Sequence, residues 1–200
     1  MAYGPAGRNR HCVIPHDLPF DLARIGEVLM YHAVRYVVIG GMSGTFHGMV
    51  EYRTKDVDLL VDESADNLNR LAAALTDLGA VPSGTTDHRP ITGADLGIAS
   101  TQWDTDAGPI DVLVTATGPN ESIVVYGDIE RGSVVFDAGR GVTMPAASLD
   151  DVIRMKEAAD RHKDHLALPE LRRLRGDAHP ERPADFDPFA DFDIEDGTDD

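Results

Sequence analysis

The sequence predicts one small mixed α/β domain, and three observations carry that prediction. Short apolar runs at Tyr36–Ile39, Val57–Val61 and Ile110–Val114 are bounded by glycine or charge, the pattern of strands buried on both faces. Stretches of helical period lie between and after them: Leu68, Leu71, Leu75 and Leu78 share one face, and Leu149, Val152, Ile153 and Met155 another. Finally, the 200 residues hold a single cysteine, Cys12, and no apolar run near the ~20 residues that cross a bilayer. A disulfide scaffold and a helical membrane protein are thereby excluded, and a cytoplasmic protein with no membrane partner is expected. The N-terminus has no apolar segment of the kind a secretory leader needs.

Residues 1–17 mix Gly, Pro, Arg and His without period and read as a flexible arm. Leu18 to Val34 reads as a helix with Phe20, Ile25, Val28 and Leu29 inward and Asp17 as a candidate N-cap. The strand at Tyr36 stops at Gly40-Gly41, and a short helix over about Met42–Met49 precedes the strand Val57–Val61. Asp66 to Leu78 is helical, with Gly79 as its stop. A loop-rich stretch from Pro82 to Gly93 leads to Leu96–Ala99, and the strand at Ile110 follows. Two shorter apolar runs, Ser122–Tyr126 and Ser133–Phe136, come before a Gly-rich turn. Ser148 then caps a long helix. If that helix continues, Lys156 and Asp164, slightly over two turns apart, share a face.

The net charge of −17 divides unevenly. Residues 177–200 carry eight Asp and two Glu against one Arg and read as a disordered acidic tail, leaving −8 for residues 1–176, within which a domain is expected over 18–176. Such a domain is a poor general duplex binder, because non-specific binding is mostly phosphate neutralisation. The segment from Arg154 to Arg175 runs the other way, and its Arg172, Arg173 and Arg175 suit either an RNA backbone or their own helix dipole. In the tail, Phe186, Phe189 and Phe192 form an acidic-aromatic segment that would suit docking on this basic region.

Asp56-Val57-Asp58 opens the second strand, so both carboxylates project to one face while Val57 enters the core. Either they are solvated at the strand's edge, or a cation such as Mg²⁺ sits between them. Asp111 lies in an otherwise apolar strand; a neighbouring position would bring a third carboxylate to the same metal, the arrangement of nucleotidyl transfer. The turn Gly40-Gly41-Met42-Ser43-Gly44 suits a phosphate, but reads G-G-x-x-G rather than the dinucleotide-binding G-x-G-x-x-G. His162 and His165 are at a metal-ligand spacing with no evident third ligand. Met30, Met42, Met49 and Met155 read as core filler, and Trp103 and Tyr126 as buried rings or base-stacking platforms.

Val38-Ile39-Gly40-Gly41, then Arg53-x-x-Asp56-Val57-Asp58, then Ile110-Asp111-Val112 resembles the polymerase-β-like nucleotidyltransferase superfamily. Lys156-Glu157-Ala158-Ala159 and Arg161-His162-Lys163-Asp164 are similar to motifs of the AbiEii/MenT-type toxins within it. The resemblance implies a nucleotidyltransferase fold, a small mixed sheet flanked by helices. It implies that Asp56, Asp58 and Asp111 bind Mg²⁺, and that Asp111 also helps deprotonate the acceptor. Gly40, Gly41 and Ser43 would donate hydrogen bonds to the phosphates of an NTP; Arg53 would contact phosphate or pair with an acid. Lys156 would offset charge on the leaving pyrophosphate, with Asp164 beside it in the site. The implied reaction transfers NMP to an RNA acceptor, the tRNA 3′ end, by a toxin with a cognate antitoxin. The alternative is an antibiotic-modifying nucleotidyltransferase acting on a small hydroxyl compound, which the acidic domain would attract if cationic. A third reading is a nucleotide-binding module without turnover.

Overall fold

In the computed structural model the described residues are 18–51, 54–98 and 100–176. The readings of the N-terminal arm, Asp17, Arg53 and the acidic tail fall outside them. In chain order the elements are α1 (Leu22–Tyr31), β1 (Tyr36–Val38), α2 (Gly40–Phe46), β2 (Val57–Val61), α3 (Ala65–Asp77), β3 (Val81–Pro82), α4 (Gly93–Leu96), β4 (Ser100–Asp104) and β5 (Ile110–Leu113). They continue with β6 (Ala116–Thr117), β7 (Ile123–Val124), α5 (Tyr126–Ile129), β8 (Val134–Gly139), β9 (Val142–Ala146), α6 (Leu149–Ala159) and α7 (His162–Arg175).

Seven strands form one mixed sheet in the order β3-β4-β5-β2-β1-β9-β8, and β6 and β7 form a separate ribbon. The β2–β5 and β1–β9 pairs are parallel, and the β1–β2 and β4–β5 pairs antiparallel. Period-two alternation divides each central strand between two cores. Val57, Leu59, Ile110 and Val112 join α1 and α3 in the larger core. Leu60, Val37 and Ile39 join the apolar faces of α6 and α7 in the smaller one. Asp58 and Asp111 share the parity of Leu60 and Leu113, so both carboxylates face the α6–α7 side.

Several elements depart from the sequence expectation. The first helix starts at Leu22, because the side chain of Asp21 accepts from the N–H of Arg24 and caps it there. Leu96 ends a short helix rather than starting a new apolar segment. Strands β4 and β9 went unanticipated: β4 is polar on one side, and β9 contains Pro145. Trp103, on β4, is buried in the larger core with its indole N–H donating to Thr101 Oγ1, so it is no stacking platform. Met42 and Met49 are core residues as expected, but Met30 is exposed.

The expected long C-terminal helix is two helices. Asp160 adopts a left-handed conformation (φ 50°) that ends α6 and turns the chain into α7. Among the described residues no helix is long and apolar enough to cross a membrane.

Candidate active site

Parallel pairing of β2 with β5 sets Asp58 directly opposite Asp111, and antiparallel pairing of β5 with β4 sets Asp111 opposite Gln102. A row of three polar side chains therefore crosses three adjacent strands and lines a cavity of about 800 Å³. Asp56, just ahead of β2, lines the same cavity, as do Gly40, Gly41, Lys156, Arg161 and Lys163. The N–H of Ile39 donates to the carbonyl of Asp58 (3.0 Å), which fastens the Gly-Gly turn to the strand carrying the carboxylates.

Gly40 has a positive φ (62°), and a Cβ placed there would lie 2.0 Å from Asp58 Oδ2. Only glycine satisfies both the left-handed backbone and this close approach. A Cβ on Gly41 would lie 2.7 Å from Thr54 Oγ1. That hydroxyl is 3.1 Å from Asp56 Oδ1 and equally close to the Asp56 carbonyl, so it can orient the aspartate through either acceptor.

The carboxylates are electrostatically crowded. Burial, followed by repulsion from Asp56 and Asp111, pushes Asp58 up to about 7, against a smaller opposing pull from Lys163 and Lys156. Burial also raises Asp111, an effect opposed by the hydrogen bond from Gln102 Nε2 to Oδ2 (3.2 Å). Burial and mutual repulsion thus outweigh the pull of the nearby lysines where these oxygen donors meet. Among the described residues no three His, Cys, Asp or Glu side chains form a ready-made metal cage. The donor set nevertheless fits Mg²⁺, which commonly binds through one or two carboxylates and completes its shell with water and substrate phosphates.

The α6–α7 corner reverses this electrostatic logic. Lys156 Nζ donates to Asp164 Oδ1 at 2.9 Å, and Arg161 Nε donates to Asp164 Oδ2 at 2.7 Å. The side chains of Lys156 and Asp164 are 7% and 0% exposed. Hydrogen bonds from Arg161 and then Lys156 hold the Asp164 carboxyl below its ordinary value despite burial, which acts the other way. The two residues meet across the bend rather than along one continuous helix.

Asp56, Asp58, Asp111, Gly40, Gly41 and Lys156 are thus brought together around one cavity. Asp164 is not among its lining residues and touches it only through Lys156 and Arg161. Ser43 is also absent from the lining: it is fully buried and donates its hydroxyl to the Ala147 carbonyl (3.1 Å), locking α2 to the segment ahead of α6. Three cavity residues escaped sequence reasoning. Lys163 stands within the Arg161–Asp164 motif with no role of its own read from it, Thr54 sits two residues ahead of Asp56, and Gln102 belongs to a strand that the sequence does not signal. The arginines considered for RNA are paired with local carboxylates: Arg172 with Glu157, Arg173 with Glu51 and Glu170, and Arg175 with Asp150.

No protein-family model matches the chain, and no curated protein matches its sequence. Solved structures do. The lincosamide antibiotic adenylyltransferase LnuA, in its lincomycin-bound crystal structure, superposes with a TM-score of 0.52 at 15% identity, over 77% of this chain and 96% of that one. The solution structure of the antibiotic-resistance factor ANT(2'')-Ia gives 0.44 at 17% identity, over 76% and 78% of the two chains. The likeness to LnuA shows that the chain has the nucleotidyltransferase fold.

Proposed function

We propose that this protein is a Mg²⁺-dependent nucleotidyltransferase that moves NMP from an NTP to a hydroxyl of a small acceptor molecule. The observation that carries the reading is the meeting of Asp56, Asp58 and Asp111 beside a Gly40 that admits no side chain. Asp56, Asp58 and Asp111 would hold Mg²⁺, which when bound supplies positive charge to the triphosphate and the departing pyrophosphate. Main-chain N–H groups of the Gly40-Gly41 turn donate to phosphate oxygens. Lys163 and Lys55 line the cavity and face the anionic donor, while Lys156 adds its charge from a position fixed by Asp164. Asp111 takes the proton of the acceptor hydroxyl. The acceptor oxygen forms its bond to the α-phosphorus as the bond to the bridging oxygen breaks, and pyrophosphate leaves with that electron pair.

A small acceptor is favoured by the cavity volume, which falls within the range of roughly 300–1,000 Å³ typical of small-molecule sites. It is also consistent with the shared fold of LnuA, whose own substrate is a lincosamide. The pairing of Arg172, Arg173 and Arg175 with carboxylates lowers the net positive charge that this stretch offers an RNA backbone. The second reading, a toxin acting on the tRNA 3′ end with an antitoxin partner, is favoured by the Lys156–Arg161–Asp164 corner, built from the residues that resemble the toxin motifs.

One experiment separates them. The full chain is incubated with each α-labelled NTP and Mg²⁺, together with either a panel of small hydroxylated compounds, lincosamides and aminoglycosides included, or total RNA. Label in a small product that disappears with Asp58→Ala is the expected result. Label in RNA alone moves the assignment to the second reading, and no transfer to any acceptor defeats both.

A further inference from the structure

The outer two carboxylates of the site are each met by an uncharged donor. Thr54 serves Asp56, and Gln102 serves Asp111 from the neighbouring strand. The second contact is built into the sheet, because Gln102 and Asp111 are register partners in an antiparallel pair, where opposed side chains approach closely. Along β4 the parity places Ser100 and Gln102 in the cavity while Trp103 is buried in the larger core. The chemistry of the residue matters as well as its place. A Lys or Arg at 102 would cancel charge needed for a cation, and a Glu or Asp would add a fourth carboxylate to three that already repel. Glutamine supplies a donor with no formal charge.

We infer that Gln102 is a positioning residue for Asp111: its amide engages Oδ2 of that carboxylate and leaves Oδ1 to take the acceptor proton. The inference rests on the nucleotidyl-transfer reading and deepens it. Gln102 acts through Asp111 rather than on the nucleotide. Its removal should therefore change the chemical step and the Mg²⁺ requirement, with little effect on donor binding.

Two full-length variants test this. Gln102→Met keeps the length and loses the donor; Gln102→Glu keeps the shape and replaces the donor with a carboxylate. Transfer is measured under varied NTP, and Mg²⁺ binding is read without nucleotide from the melting shift that Mg²⁺ alone produces. For Gln102→Met, kcat should fall about tenfold with the NTP KM within about twofold, the pattern of lost transition-state stabilisation with donor binding retained. Half-saturating Mg²⁺ in the melting assay should rise about threefold or more as Asp111 loses its orientation. Gln102→Glu should lose more, about a hundredfold in kcat, because a like charge faces Asp111. The inference is overturned if either folded variant keeps kcat and half-saturating Mg²⁺ at the wild-type values, even with a lowered melting temperature. Should Gln102→Met fail to fold, Gln102→Glu decides alone. If the wild type itself shows neither transfer nor a Mg²⁺-dependent shift, the nucleotidyl-transfer reading fails first and takes this role with it.

Discussion

Two neighbouring clusters among the described residues set carboxylates beside other charges, and they follow opposite rules. At the α6–α7 corner Asp164 is wrapped by Lys156 and Arg161, and its carboxyl is held low. At the sheet rim Asp58 has Asp56 and Asp111 for neighbours and is pushed up to about 7. A compensated buried charge is an element of architecture, since removing the shared carboxylate takes from buried Lys156 the anion that offsets its charge. A cluster of like charges costs stability in the free protein and makes sense as a site awaiting a cation and an anionic substrate. The contrast separates the candidate site residues by their surroundings: Asp56, Asp58 and Asp111 line the cavity and, under the proposed function, carry its chemistry, whereas Asp164 lies off the cavity and holds Lys156.

The largest expected effect breaks the rim. Asp58→Asn should lower transfer about a thousandfold or more, the scale seen when a site loses a preorganised electrostatic element, measured with saturating NTP and acceptor. The corner comes next. Asp164→Ala should cost about 3–5 kcal/mol in denaturant unfolding, because it leaves the Lys156 ammonium buried without its carboxylate.

A third prediction compares the signs of the pH dependence. Asp58 has a raised folded pKa, so the native state holds its proton more tightly than the unfolded chain. Its contribution is therefore least unfavourable below about pH 4, and it erodes stability as pH rises to about 7. In metal-free buffer Asp58→Asn should stabilise the fold at pH 8 by roughly 1–3 kcal/mol, and the gain should vanish near pH 4. Asp164 has a lowered pKa, so its stabilisation is present above about pH 4 and is lost as pH falls below that. A Mg²⁺-induced melting shift that is no larger at pH 8 than at pH 5 would count against the rim as the cation site.

A smaller effect should come from Lys163→Ala, which removes an exposed cavity cation. The NTP KM should rise about tenfold at low salt, with a smaller rise at high salt and an unchanged melting temperature. The smallest effect sharpens the choice of acceptor. Replacing Arg172, Arg173 and Arg175 together with Ala should leave transfer to a small acceptor intact and cost about 1 kcal/mol or less for each exposed pair with Glu157, Glu51 and Asp150, and more where Arg173 faces the buried Glu170. A collapse of activity on RNA in that variant would instead favour the tRNA reading.

Much of the rim was legible in the residues themselves. An aspartate in an apolar strand, a second pair at period two and a Gly-Gly turn after another strand are local signals that need no partner to be read. The corner was half legible: the spacing of Lys156 and Asp164 suggested a contact, but it assumed one helix, and the left-handed Asp160 made the contact by another route. Ser43 shows the opposite failure. Its place in a Gly-rich turn suited a phosphate, but packing of α2 against the segment before α6 gave its hydroxyl to Ala147.

The sequence by itself determined which segments alternate, which apolar faces must be covered and which residues carry charge into the strands, because these depend on periodicity along one chain. Tertiary structure alone decided that Asp58 stands opposite Asp111, that Gln102 closes the row and that Lys163 turns into the cavity. Those facts depend on strand register and helix direction, which are set by the joint burial of distant segments. Shifting β5 one residue along β2 would leave its local sequence pattern unchanged and turn Asp111 away from Asp58 to the opposite face of the sheet.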